Sequence, residues 1–264
     1  MKLKLFNLEG KNAFISGATG YLGRQMAFAL AEAGAHVLIN SRSKDKCQEL
    51  VKELNALGYS AETAPFNVVD ESDVNQFIDT FDKNKIDIVV SNSYAGGSGS
   101  LELSKNANFI ESYESSVMGA NNLLRAFLPY MRNAVKENGY ASFITIGSMY
   151  GVVIPDQRVY ESKKVVNPPF YGASKAALIH WTKYAACEFS QENIRFNSIS
   201  PGPFPNKETQ NTNPDFVKKL VNKVPMGRIG CAEELKGPVV FLASNASSYV
   251  NGTNMMVDGG WTAW

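Results

Sequence analysis

Short apolar runs alternate with helical stripes along this chain, with few interruptions. Asn12-Ala13-Phe14-Ile15-Ser16 is a short apolar run of strand type, and residues 24–33 carry helical periodicity that stops at Gly34. Residues 35–40 read as a second buried strand, 45–57 as a helix, 61–66 as extended and 71–81 as helical. Strands follow at 86–90, 140–146 and 194–199, and a long helix falls within 107–133. Another helix begins behind Asn167-Pro168-Pro169-Phe170-Tyr171. After Gly202 the run to Pro214 is too rich in proline and asparagine for regular structure. A short amphipathic helix at 215–223, a helix through 239–243 and a last strand at 254–257 complete the chain. Alternation this regular predicts a parallel sheet with helices on both faces. No linker, repeat or composition break divides it, so residues 1–264 are expected to form one domain.

The first strand, its glycine loop, the helix and the second strand together form the opening of a dinucleotide-binding unit. The expected class is therefore α/β, a Rossmann-like doubly wound sheet of about seven strands. Ligands of such sheets lie beyond the carboxyl ends of the strands. Polar residues gather on that rim: Gly17 to Gly23, Ser41-Arg42, Asn67-Val68, Ser91-Asn92-Ser93, Gly147-Ser148 and Ser200-Pro201-Gly202. Glycines at 17, 20 and 23 let the backbone approach a pyrophosphate whose charge rests on the helix N-terminus. Taken alone, the loop also reads as a tight turn with no ligand.

On the helix behind the prolines, Tyr171 and Lys175 stand four apart and share one face. An ammonium beside a phenol favours the ionised form, so Tyr171 is expected to have a lowered pKa and to exchange a proton near neutral pH. A rival pattern, Tyr160-Glu161-Ser162-Lys163-Lys164, lies nearer to Ser148. Pro168 and Pro169 end any helix begun at Tyr160, which leaves Tyr171 as the candidate.

Composition narrows the chemistry. The chain is 44% hydrophobic and 19% charged with a net charge of +1, so neither nucleic acid nor a membrane surface is an expected partner. Cys47, Cys187 and Cys231 are widely spaced without a CxxC, which argues against disulfides or zinc and suits a reducing cytoplasm. His36 and His180 are the only histidines, too few for a multi-histidine metal site, and no metal is expected. Residues 1–7 show no apolar signal core. An acid at the end of the second strand would hydrogen-bond a ribose hydroxyl and favour NAD, but Asn40-Ser41-Arg42-Ser43-Lys44 has none. Arg42 is expected to pair with a 2′-phosphate and Ser41 to donate to it, which favours NADP(H) over NAD(H). A solvated loop arginine is the other reading of Arg42.

Together these motifs resemble the short-chain dehydrogenase/reductase family over essentially the whole chain. The glycine loop, Asn92, Gly147-Ser148, Tyr171-Gly172-Ala173-Ser174-Lys175 and Ile194 through Gly202 carry the resemblance, as does the ending from Leu242 to Gly260. It implies hydride transfer between a nicotinamide and a ketone or secondary alcohol. Tyr171 would give or take the hydroxyl proton, Lys175 would lower its pKa and hold the nicotinamide ribose, and Ser148 would hydrogen-bond the substrate oxygen. Cofactor contacts are implied for Gly17, Thr19, Gly20, Tyr21, Leu22, Gly23, Asn67, Val68, Asn92, Pro201, Gly202 and Phe204. Aligning Gly119 with the family's Asn-x-x-Gly puts Ser116 at the fourth catalytic position, usually Asn.

Several positions depart from the family. Tyr21 stands where glycine is usual, and its ring is expected to point away from the phosphates. Ser91, Ser93 and Tyr94 replace parts of Asn-Asn-Ala-Gly, and Asn67 replaces an Asp near the adenine. Tyr171 lies farther from Ser148 than usual, so 155–170 reads as an inserted loop over the site mouth, suited to substrate recognition. In the family, the region at 203–225 closes over the site as a lid. The insertion and the ending resemble a branch linked to bacterial surface-sugar and flagellin-glycan synthesis, and also gluconate 5-dehydrogenase-like enzymes. A sugar or sugar-derived ketone is the expected substrate. A 3-oxoacyl-thioester reductase is the enzymatic alternative, and a catalytically silent dinucleotide-binding sensor is the alternative of another class. The aromatic tail Gly260-Trp261-Thr262-Ala263-Trp264 suggests burial against another subunit, so a homodimer or homotetramer is expected.

Overall fold

Side chains alternate across a strand, so a strand buried on both faces must be apolar at every position. The first strand, β1 (Asn12–Ile15), shows this directly. Ala13 and Ile15 point to one side of the sheet, against Met26 and Leu30 of α1 (Tyr21–Glu32) and Leu242 of α9 (Lys236–Ala243). Phe14 points to the other, where it meets Phe127 of α5 (Gly119–Asn138) with ring centroids 4.8 Å apart. Burial of each such ring contributes about 1.5–3 kcal/mol. The computed structural model describes residues 4–264, so Met1, Lys2 and Leu3 of the N-terminal stretch lie outside it.

The remaining strands are β2 (His36–Ile39), β3 (Ala61–Thr63), β4 (Ile88–Ser91), β5 (Ala141–Ile146), β6 (Ile194–Pro201) and β7 (Asn254–Val257). They form one seven-stranded sheet in the order β3-β2-β1-β4-β5-β6-β7, with every neighbouring pair parallel. α2 (Lys44–Ala56) and α3 (Glu71–Asp79) join the outer strands of one half, and α6 (Pro169–Glu188) crosses from β5 to β6. Strand order reverses between β1 and β4, so the crevice that collects ligands opens above their carboxyl ends.

Two stretches differ from the sequence expectation. The region after Gly202 contains a helix, α7 (Lys207–Thr212), directly before α8 (Pro214–Val221). The asparagines and the proline that read as loop formers are helix starts. Asn206 Oδ1 accepts from Thr209 N at 2.8 Å, Asn213 Oδ1 accepts from Phe216 N at 3.1 Å, and Pro214 opens α8. The aromatic tail also divides. Trp261 is buried within its own chain against Tyr150, Leu220 and Val224, whereas Trp264 is 81% exposed. The helix expected within 107–133 is α4 (Asn106–Tyr113) running into α5 through a π-helical turn, Glu114–Met118.

Candidate active site

Gly17 sits at φ 60°, the left-handed region, where it ends β1 and turns the chain toward α1. α1 begins at Tyr21, and Gly20 before it supplies no side-chain cap, so the first N–H groups of the helix point freely into the crevice. Asn92 holds this loop from below. Its Nδ2 donates to the carbonyls of Ser16 and Gly17 at 3.2 and 3.1 Å, and its backbone N–H donates to Ser16 Oγ at 2.9 Å. A Cβ at Gly23 would stand 2.2 Å from Gly17 O and 2.7 Å from Asn92 Nδ2, whereas one at Gly20 would find its nearest neighbour at 3.3 Å. Gly23→Ala should therefore destabilise the protein by about 1–3 kcal/mol despite alanine's better helix propensity, and Gly20→Ala by much less. Thermal melts of both variants check this. A Gly23→Ala protein melting at or above wild type would contradict the packing.

Above the loop, a cleft of about 560 Å³ runs along the strand ends. Thr19, Gly20, Tyr21, Leu22 and Gly23 line one wall, Ser41, Arg42, Asn67 and Val68 the far end, and Pro201, Gly202 and Phe204 the side nearest β7. The Tyr21 phenol reaches the backbone of Ala232, so its ring leaves the glycine loop. Asn40 is buried at the end of β2, its Nδ2 donating to Ala64 O and Phe66 O, and it ties β2 to the segment after β3. The Ser41 hydroxyl is engaged locally with Ser43 and Cys47. Arg42 is exposed at the cleft edge and makes no ion pair among the described residues.

Ser148, Tyr171 and Lys175 meet at the other end of the cleft, above β4 and β5. Pro168 caps α6 and Pro169 opens it, which fixes where Tyr171 enters the first turn. Glycines let this helix lie directly on the chain after Ser148: a Cβ at Gly172 would stand 2.7 Å from Tyr150 O, and one at Gly151 2.9 Å from Lys175 C. Ser148 is buried beside the Tyr171 phenol, and its Oγ accepts from Tyr150 N at 3.1 Å. Lys175 is 3% exposed and donates from Nζ to Ile146 O at 2.7 Å. Burial pushes the Lys175 ammonium down to about 8.

The Tyr171 phenol is not lowered, contrary to the sequence expectation. Burial raises it, and the neighbouring Ser148 hydroxyl only partly offsets that. The residue keeps some exposure along the cleft. The ammonium lies 5.8 Å from the ring centroid and is turned to the Ile146 carbonyl, so it gives the phenol little direct help in this geometry.

Ser116 does not join the other three. It is buried in the π-helical turn, where its Oγ lies 3.3 Å from Ser174 Oγ, and Ser115 lines the cleft instead. A π turn carries an extra residue and rotates the helix register, so spacing counted back from Gly119 lands off the cleft face. Ser112 and Ser174, Oγ to Oγ at 2.8 Å, staple α4 to the second turn of α6.

Tyr94, in the sequence only a departure from the family pattern, has a defined place in the structure. Its ring meets Tyr171 edge-on, with centroids 4.8 Å apart at 86°, and Lys175 Nζ lies 5.3 Å from its centroid. An aromatic face near a desolvated ammonium favours its charge. Burial pushes the Tyr94 phenol up to about 12, so it stays neutral.

The rival Tyr160 is not helical. It follows a short 3-10 turn, Gln157–Val159, and its hydroxyl lies 3.2 Å from that of Tyr150. Its ring packs on Phe216 of α8 at 5.5 Å. The insertion thus rests on the segment after Gly202, and an Asp156–Lys223 ion pair joins them as well. Together they wall a second cavity of about 450 Å³ that opens on Ser148 and Tyr171. Tyr150, Asn167 and Phe216 of this wall had no motif to mark them.

The family model described as enoyl-(acyl carrier protein) reductase matches residues 17–262. A 2-dehydro-3-deoxy-D-gluconate 5-dehydrogenase of Dickeya dadantii is 33% identical over 274 residues, 100% of both chains. The protein is a short-chain dehydrogenase/reductase. This short-chain dehydrogenase/reductase is also 33% identical to a sorbose reductase of Candida albicans, over 98% of its own chain and 90% of the relative. A gluconate 5-dehydrogenase from Burkholderia cenocepacia, solved with NADP and tartrate, superposes with a TM-score of 0.88 at 29% identity over 100% of both chains. Its family places it among oxidoreductases acting between CH–OH and C=O groups. No helix among the described residues is long and apolar enough to cross a membrane, and no group of three potential metal-ligating side chains occurs among them.

Proposed function

We propose that the protein is an NADP(H)-dependent oxidoreductase that interconverts a ketone and a secondary alcohol on a sugar or sugar derivative. The observation that carries this reading is the convergence of Ser148, Tyr171 and Lys175 at one end of a cleft whose other end holds Arg42. The glycine loop fits a dinucleotide: Gly17 and Gly23 leave a cradle that a Cβ would fill, at the open N-terminus of a 12-residue helix. Gly20, Leu22, Asn67, Val68 and Asn92 would frame the bound dinucleotide, and its nicotinamide would supply or accept the hydride. Ser148 Oγ and the Tyr171 hydroxyl flank the position of the substrate oxygen. In the reducing direction Tyr171 gives that oxygen its proton, and in the oxidising direction it takes the proton back. Lys175 keeps positive charge beside the pair as negative charge develops.

Part of the positive charge at the mouth is already paired, which favours a small carbonyl over a carrier-borne thioester. Lys163 pairs with Glu102 at 2.7 Å, and Arg158 and Lys223 both engage Asp156, so these cations do not form a free basic face for an acidic carrier. The reading is tested by NADPH oxidation against ketoses and their derivatives. Dinucleotide binding with no turnover of any carbonyl, unaltered by Tyr171→Phe, would instead mark a silent sensor. Arg42 makes a separate prediction. A charge-assisted contact contributes about 1.5–3 kcal/mol, so kcat/KM should favour NADPH over NADH by roughly ten- to hundredfold. Arg42→Ala should lose most of that ratio, and a variant keeping it in full would refute the role.

A further inference from the structure

The relatives divide on one chemical point: some act on sugar acids and one on a neutral ketose, by their names. The cavity beside Ser148 and Tyr171 bears on that division. It is bounded by the insertion, the residues after Ser148, and α7 and α8, and its lining contains no lysine, arginine, aspartate or glutamate among the described residues. Outside it, Asp156 pairs with Lys223 and Arg158, and Lys163 with Glu102.

The cavity offers neutral hydrogen-bonding groups between aromatic faces. The Tyr150 and Tyr160 hydroxyls meet at 3.2 Å. Asn167 lines the cavity, and its side-chain amide makes no hydrogen bond among the described residues. A neutral amide and two phenol hydroxyls suit a partner that offers hydroxyls. A carboxylate would enter with no cation in the lining to neutralise its charge.

Resting on the reaction proposed above, we propose that the substrate is an uncharged, polyhydroxylated ketone or its alcohol, with the Asn167 amide hydrogen-bonding one of its hydroxyls. The site then discriminates against sugar acids by leaving their carboxylate unpaired, and Asn167 is a specificity-determining residue.

Paired probes test this. With NADPH, kcat/KM for the neutral ketoses L-sorbose and D-fructose should exceed that for 5-keto-D-gluconate by at least about tenfold. Asn167→Leu should raise KM for the better ketose by roughly tenfold while kcat changes little, because the lost contact is made equally in ground and transition states. Thr209→Arg, on the exposed lid helix and lining the cavity, adds a cation and should shift the ratio toward the keto-acid. Calorimetric binding of sorbitol and of gluconate to the NADPH complex, where neither can react, gives a readout independent of turnover. Sorbitol should bind more tightly. Preferential turnover or binding of the acid would overturn the proposal, as would failure of every neutral ketose and polyol to bind at millimolar concentration. Tighter sorbitol binding with no turnover of any carbonyl would support the neutral site while refuting the reaction assigned to Ser148, Tyr171 and Lys175.

Discussion

Tyr171→Phe is expected to lower kcat by about two to four orders of magnitude with dinucleotide affinity retained, the range associated with losing a positioned proton donor. The substitution removes only the hydroxyl. The ring still has Tyr94 against its face at 4.8 Å, and α6 still starts at Pro169. Tyr160→Phe is the matched control, because it removes the same atom from a residue opening on the same cavity. Tyr160 gives up a contact with Tyr150 and has no buried lysine one helical turn away. Its loss should alter KM more than kcat. The assignment fails if the Tyr160 variant is the inactive one and the Tyr171 variant turns over normally.

A second large effect is expected at Lys175, where function and stability pull in opposite directions. Lys175→Met should remove most activity, yet the dinucleotide-free protein should be more stable at pH 7. Burial lowers this ammonium to about 8 from its ordinary 10.5, which at about 1.4 kcal/mol per pH unit corresponds to roughly 3 kcal/mol of penalty for keeping the charged form. The Ile146 carbonyl loses its donor in the variant, offsetting about 1 kcal/mol. A net gain of about 1–3 kcal/mol is expected from urea unfolding at pH 7. The pH dependence follows from the direction of the shift. Between about pH 8 and 10.5 the unfolded chain holds the lysine proton and the native protein has released it, so wild-type stability should rise through that window from this group. The methionine variant lacks that contribution, so the two proteins should converge as pH approaches 10.5. A variant less stable than wild type at pH 7 would refute the electrostatic account. On the function proposed above, this cost keeps a charged group at the catalytic end of the cleft before substrate arrives.

Much of the fold could be read from the chain because its strands are buried on both faces. Val89 and Phe143 have no solvent side to alternate with, so each strand appears as a run, and the glycines and helices between runs give the winding. The candidate cofactor end of the site is similarly local: Gly17, Thr19 through Gly23, Ser41-Arg42, Asn67-Val68 and Asn92 all lie at strand ends and all line the cleft. What escaped depends on three-dimensional packing. A π-helical turn has no clear periodic signature, so Ser116 was expected where Ser115 faces the cleft. Asn206 and Asn213 signal a loop and a helix cap with the same residue type. The direction of the Tyr171 shift turns on how much water the phenol loses, and sequence spacing does not report that. Trp261 lies near the end of the chain but fills its own core.

The Tyr160–Phe216 contact and the Asp156–Lys223 pair imply a rule for engineering. The pair is partly exposed and contributes little by itself, so the aromatic contact is the main tie between the insertion and α8. A chimera that imports the loop of one relative and keeps the helix of another would set a foreign residue against Phe216. Substrate range should therefore be transplanted with 155–170 and 203–225 as a single cassette, and half-grafts should show losses of activity larger than the sum of their point changes.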